Sequence, residues 1–238
     1  MNRHENETPI LRLTDGIWFD SGPVVWSIES LRLFQGQGVA LIPDGPDPPI
    51  DPSGRLARIL ATLSTPEQGT VEILDENVNK LSYRDVQRLR VRLGFVQGYG
   101  GLLSNRTIRD NIALPVSVHG NLSIADEASR IDRCLDEFAL DNVANLLPHN
   151  VDGATRWRAC LARAMVLRPR WLVLEGIGDW EMDRGRGTAW SRFRDYRKTV
   201  DAAVAICLSR RNPEFEEWFG DEGGEIIKYS RLHDKGIA

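Results

Sequence analysis

The chain has 238 residues, 42% hydrophobic and 27% charged, with a formal net charge of -4. That length suits one large domain, or a core with a smaller lobe, and buries a sizeable interior. The charge excludes a general electrostatic grip on nucleic acid, which needs a clustered basic surface.

In chain order, residues 11–19 (LRLTDGIWF) and 26–34 (WSIESLRLF) alternate apolar and polar positions, which predicts half-buried antiparallel strands. Residues 38–42 (GVALI) are continuously apolar and predict a strand buried on both faces. A proline-rich loop follows, then a helix over 54–64, a strand over 69–74, an Arg-rich solvated helix over 84–92 and a buried strand over 93–97. Beyond it the pattern turns helical. Ile124, Ala128, Ile131, Leu135 and Phe138 line one helix face, with Ser123 placed as its N-cap. Trp157, Leu161, Ala164 and Met165 line another, with Arg156, Arg158 and Arg163 elsewhere around it. Residues 170–176 and 202–209 read as strongly apolar strands, and 223–230 as a last pair of strands. Strands separated by helices indicate an α/β mixed sheet, with antiparallel strands at the front and a helical insert in the middle.

Cys134, Cys160 and Cys207 stand far apart in apolar or helical settings and predict reduced, buried thiols. The four histidines show no ligand spacing, so no metal site is expected. The first ten residues are polar, unlike a signal peptide, and no apolar run approaches the roughly 20 residues of a membrane span. Any membrane role is expected to come through a partner.

Residues 40–60 (ALIPDGPDPPIDPSGRLARIL) open as a buried strand and close as a helix, the setting of a phosphate-binding loop. Such a loop aims successive backbone N–H groups at the anion, aided by the helix N-terminus. Here Pro43, Pro46, Pro48, Pro49 and Pro52 remove donors, because proline has no N–H. Asp44, Asp47 and Asp51 add like charge; two unit charges about 4 Å apart repel by about 4 kcal/mol at an effective dielectric near 20.

The segments GVALI, STPEQGTVEIL, LGFVQ, LLSNRTIRDNIALP and LARAMVLRPRWLVLE, in this order, resemble the nucleotide-binding domain of ATP-binding cassette (ABC) transporters. The resemblance runs from about Leu11 to about Ser209. Residues 102–120 (LLSNRTIRDNIALPVSVHG) are similar to the ATPases of bacterial intermembrane lipid transporters. The resemblance implies a P-loop NTPase-like (ABC ATPase) fold in a single domain over 1–238. Its core would cover about 9–97 and 166–238, and its helical subdomain about 98–165. It also implies a membrane permease as partner, a homo- or heterodimer with a second ATPase, and a cytoplasmic place at the inner membrane face. In such dimers each ATP site joins the phosphate loop of one subunit to the signature of the other.

The family's site positions are altered here one after another. The loop pattern G-x-x-x-x-G-K-[ST] has Ser53-Gly54-Arg55 as its nearest counterpart, with Leu56 where the magnesium-binding hydroxyl belongs. Arg55 is read as a surface arginine on the first helical turn, since its planar fork does not replace a lysine threaded through a loop. The metal carboxylate and catalytic base correspond to Glu175 and Gly176, so the base is lost; a positioned base contributes roughly 10²- to 10⁴-fold in rate. Asp183 stands in for the closing aspartate of the loop that follows. The signature corresponds to 151–155, with Asp152 and Gly153 at a helix start where Asp152 reads as a cap. The switch histidine corresponds to Ser209, and the magnesium-sensing glutamine to Gly98, unless Gln97 is shifted by one place.

These losses predict no catalytic residue, no cofactor and a structural or regulatory subunit of a permease/ATPase complex, with lipid as the cargo the resemblance implies. The alternative is an ABC-family ATPase that binds and slowly hydrolyses ATP with Mg²⁺ through Arg55 and Glu175. Permease contact is placed around 99–115, with Tyr99, Leu102, Leu103 and Ile108 as candidates. Trp18, Trp26, Trp180, Trp190 and Trp218 are contact anchors or core residues. A cation site from Asp44, Asp47, Asp51 and Asp152 is the weaker alternative to a solvated charge run.

Overall fold

The computed structural model describes residues 7–19, 24–45, 52–98, 101–119, 123–176 and 188–232. The continuously apolar runs become strands with a core on each side. In β3 (Gly38–Pro43), Val39 and Leu41 enter one core while Ala40 and Ile42 enter the other. β7 (Trp171–Glu175) and β8 (Ala203–Cys207) divide in the same way, Trp171 and Val173 opposing Leu172 and Leu174. With β6 (Leu93–Val96) they form a parallel set, β3 beside β8, β8 beside β7 and β7 beside β6.

The alternating segments form the antiparallel arm. β1 (Leu11–Phe19) pairs with β2 (Val25–Leu33) and with β4 (Gln68–Ile73), and the short β5 (Glu76–Asn77) extends the edge. The expected last pair of strands is one strand, β9 (Glu225–Leu232), because Gly223 and Gly224 lie before it and only its second half meets β2. β9 runs parallel to β3 and antiparallel to β2, so it welds the two halves into a nine-stranded mixed sheet among the described residues.

Helix α1 (Ser53–Leu60) is shorter than the expected 54–64 and lies against β7, β8 and β1, burying Leu56, Ala57, Ile59 and Leu60. Trp171 donates its indole N–H to the Leu60 carbonyl at 2.9 Å and ties β7 to the end of α1. α2 (Tyr83–Arg90) is the solvated Arg-rich helix, capped by Ser82. α3 (Ile108–His119), α4 (Ile124–Glu137) and α5 (Gly153–Met165) pack on one another beside the other sheet face. Ser123 caps α4 as expected, accepting from the Asp126 N–H at 3.2 Å. α6 (Thr188–Val200) and α7 (Pro213–Asp221), which the pattern did not assign, complete that layer through Phe193, Phe215 and Phe219.

The tryptophans divide by their surroundings. Trp18 (0% exposed) and Trp26 (2%) are core residues, correcting their candidacy as contact anchors; they pack on Tyr229 with centroids 5.6 and 5.4 Å away. Trp218 is half-buried against Phe215 and Phe219. Trp180 and the Trp190 side chain lie outside the described residues. The three cysteines are buried, and burial pushes the Cys134 thiol up to about 12, so it carries no thiolate at neutral pH.

Tyr229 joins both halves of the sheet, its hydroxyl donating to the Leu208 carbonyl at 3.1 Å. Tyr229→Phe removes that donor alone and should cost about 1–3 kcal/mol; Tyr229→Ala should cost about 3–5 kcal/mol, the range for truncating a buried aromatic ring. Urea denaturation checks both values and their order.

Candidate functional site

The parallel strands deliver their C-terminal ends to one edge. Pro43 closes β3, Glu175 closes β7, and Gln97 and Gly98 follow β6. The Gly176 N–H donates to the Cys207 carbonyl at 2.8 Å and the Leu208 N–H to the Leu41 carbonyl at 2.9 Å, fixing the turns at that edge. The helix that leaves it, α1, starts at Ser53, which is fully buried.

Several of the expected site positions meet here. The Glu175 carboxylate Oε1 stands 3.0 Å from where a β-carbon on Gly54 would be. A β-carbon on the buried Gly98 would lie 3.1 Å from the Glu175 carbonyl and 3.4 Å from that of Gly176. Gly54, Gly98, Glu175 and Gly176 therefore share one corner, with Ser53 on the same helical turn as Gly54. Ser209, half-buried, follows Leu208 after β8. The side chain of Gln97 points to the neighbouring loop, its Oε1 lying 3.3 Å from the β-carbon position of Gly101.

At the described flanks of the loop three backbone donors are missing or committed. Pro43 and Pro52 have no N–H, and the Asp44 N–H is committed to the Tyr229 carbonyl of β9 at 2.8 Å. Residues 46–51, with Pro46, Pro48, Pro49, Asp47 and Asp51, lie outside the described residues, as do Tyr99 and residues 177–187 with Asp183. Asp44 lies 3.9 Å from the Lys228 ammonium, and no group of three or more His, Cys, Asp or Glu residues fit for a metal occurs among the described residues.

Arg55 faces elsewhere. Its guanidinium pairs with Glu67 at 2.8 Å and donates to the Thr65 carbonyl at 3.4 Å, while Glu67 accepts from the Phe19 N–H. The pair is about one-third exposed on each side, so it is worth at most about 1 kcal/mol, but it directs the cation toward the antiparallel arm.

Asp152 and Gly153 belong to the start of α5. Asp152 Oδ1 accepts from the Thr155 N–H at 2.6 Å, and that backbone bond, with Arg158 and Arg156 nearby, holds its carboxyl below the usual range. Asp152 is a helix cap, as expected of it.

Between the helical layer and the sheet lies a cleft of about 300 Å³ walled by Leu93, Phe95, Leu114, Pro115, Val118 and Leu167. Arg90, His119 and Arg163 also line it. Arg163 reaches across to donate to the Gly101 carbonyl at 2.8 Å, and burial lowers the pKa of its guanidinium. Among the contact candidates, Leu103 is 46% exposed and Leu102 is half-buried against the core. Ile108 is fully buried, a correction to its candidacy: the turn before α3 points it inward. The cleft joins residues 90–119 to 163–167, so no local pattern announced it; its one short-range sign is the Thr107/Asp110 capping box that sets where α3 begins.

The sequence profile of the ABC transporter family matches residues 54–175, beginning on the first turn of α1 and ending at the last residue of β7. The methionine import ATP-binding protein MetN 1 of Pseudomonas fluorescens is 32% identical over 120 residues, 50% of this chain and 36% of that protein. The MetN of Mesorhizobium japonicum is 35% identical over 118 residues, 50% of this chain and 32% of that one. The matched stretch thus spans about a third of these relatives. Among solved structures, the dimeric ATP-binding cassette MJ0796 bound to ADP and Pi superimposes with a TM-score of 0.71 at 18% identity, covering 95% of this chain and 100% of that one. CbiO1 of Clostridium perfringens, part of the transporter complex cbiONQ, gives 0.68 at 16% identity, over 85% and 79% of the two chains. At these identities the structures establish the shared fold.

Asp152→Ala should remove a cap worth about 1 kcal/mol. The depressed carboxyl contributes fully above its unfolded value, near 3.8, and its contribution fades as pH falls through the lower folded value. Asp152→Asn, an equally good cap, should keep stability at neutral pH and lose that acid dependence. Unfolding midpoints between pH 3 and 7 check both.

Proposed function

This chain belongs to the ABC transporter family, and on that premise we propose that it is a catalytically degenerate ATP-binding-type subunit. It acts as a structural or regulatory partner of a membrane permease and ATPase complex, at the inner face of the membrane through that partner, and takes neither nucleotide nor magnesium. No described helix is long and apolar enough to cross a membrane, in keeping with attachment through another chain.

One observation carries the reading: at the described flanks of the segment that should cradle a triphosphate, three backbone donors are missing or spent. Pro43 and Pro52 have none, and Asp44 gives its N–H to β9. Two others support it. Gly176 stands where the catalytic carboxylate belongs, and Arg55, the counterpart of the family's lysine, is held by Glu67. The slow-ATPase alternative needs Arg55 to abandon that pair, and nothing in the geometry favours it.

The surface that fits a partner is the cleft beside α3, where an apolar wall runs out to the exposed Val118 (69%). A lipid cargo rests on the resemblance of residues 102–120 alone, whereas the relatives named above are methionine import proteins. The proposal concerns the role of the subunit, not its cargo.

A ligand present at about 100 times its Kd adds about 2.7 kcal/mol of stability. Purified protein with ATP and magnesium should show no rise in melting temperature, and a fluorescent ATP analogue no saturable anisotropy. Micromolar saturable binding would overturn the proposal.

A further inference from the structure

The geometry points to Glu175 as a built-in anion: its carboxylate occupies the α1 end of the degenerate phosphate site and keeps phosphate out. This deepens the functional reading above and rests on it.

Among the described residues, helix α1 begins without the usual sources of negative charge. Its first turn contains no acidic residue, and Pro52 at the N-cap makes no side-chain capping bond. A helix N-terminus carries a partial positive charge of roughly half a unit and favours an anion beside it. That anion comes from another element. Glu175 closes β7, and its Oε1 lies against Gly54, 3.0 Å from the β-carbon position. An aspartate at the same place is one methylene shorter and falls short of this contact.

The carboxylate is held there by its backbone. Glu175 sits in register with Cys207 of β8, and the next N–H, that of Gly176, bonds the Cys207 carbonyl at 2.8 Å. The buried Gly98 lies beside the same strand end, where a β-carbon would stand only 3.1 Å from the Glu175 carbonyl, so the glycine lets the two backbones approach closely. Arg55, on the first turn of α1, is turned to Glu67. A phosphate reaching α1 therefore meets a charge of its own sign fixed at the one place where the helix would welcome it.

The test compares full-length wild type with Glu175→Gln and Glu175→Asp, following melting temperature with and without inorganic phosphate, against sodium chloride at equal ionic strength. Glu175→Gln keeps the shape and removes the charge; Glu175→Asp keeps the charge and loses the reach. Both should melt about 1–4 °C lower, the size expected when a helix-terminal charge is lost from a chain of this length. Phosphate should raise the melting temperature of Glu175→Gln and leave wild type unmoved. Wild-type melting in both variants, or an equal phosphate response in wild type and Glu175→Gln, would overturn the assignment. Should Glu175→Gln fail to fold, the melting of Glu175→Asp alone decides, and wild-type melting there overturns it. ATP binding by wild type sinks the functional reading itself; a flat ATP response with unchanged variants sinks only this inference.

Discussion

A backbone anion cradle works only while its amide hydrogens point inward, and here the first one beyond Pro43 is committed elsewhere. The Asp44 N–H completes the ladder between β3 and β9, bonding Tyr229. Tyr229 in turn packs on Trp18 and Trp26 and bonds Leu208, at the start of the turn that leaves β8. The first amide beyond Pro43 is thus part of the interior seam of the sheet. Recovering it for a ligand means opening a strand pairing beneath a fully buried aromatic ring. Pro43 and Pro52, which have no N–H, add to that constraint at the two flanks of the loop.

The same edge shows how little the fold depends on the residues at its corner. What positions the corner is the parallel set β3, β8, β7 and β6, each strand apolar on both faces and held by cores above and below. Those cores depend on Val39, Leu41, Leu172 and Val173, none of which touches the site. Substitutions at Gly176, Asp152 or Leu56 cost the sheet little, since Leu56 fills the α1 core and Asp152 caps α5 as well as any serine would. The replacements are good structural residues in positions where the family's chemistry needs poor ones.

Much of this was legible from residue order. The runs at 38–42, 171–175 and 203–207 are too continuously apolar for half-exposed strands, and Ser123 and Asp152 stand just before amphipathic helices, where caps belong. What escaped was set by tertiary contact. β9 was read as two strands because its partners, β2 and β3, lie some two hundred residues earlier in the chain. α7 carries a short-range sign, Asn212 capping before Pro213 with Phe215 and Phe219 four apart, but its polar face hid it. The Arg55–Glu67 pair and the burial of Ile108 are likewise products of packing that no spacing rule encodes.

The composite sites implied by the resemblance sharpen what remains. Each joins the phosphate loop of one subunit to the signature of the other, so on the reading proposed above pairing with itself gives this chain two impaired sites. Pairing with an intact ATPase spreads the damage, the loop spoiling one site and Asp152 the other. Neither arrangement returns a full pair of ATP-driven closures. The cleft beside α3 is separate from those sites: apolar residues of β6, α3 and Leu167 line it with Arg90, His119 and Arg163, and Arg163 also donates to the Gly101 carbonyl, linking α5 to the residues that follow β6. On the reading proposed above, a chain that keeps this connection while its nucleotide motifs are altered is organised around contact with a partner, and the rigidity of its sheet serves that contact.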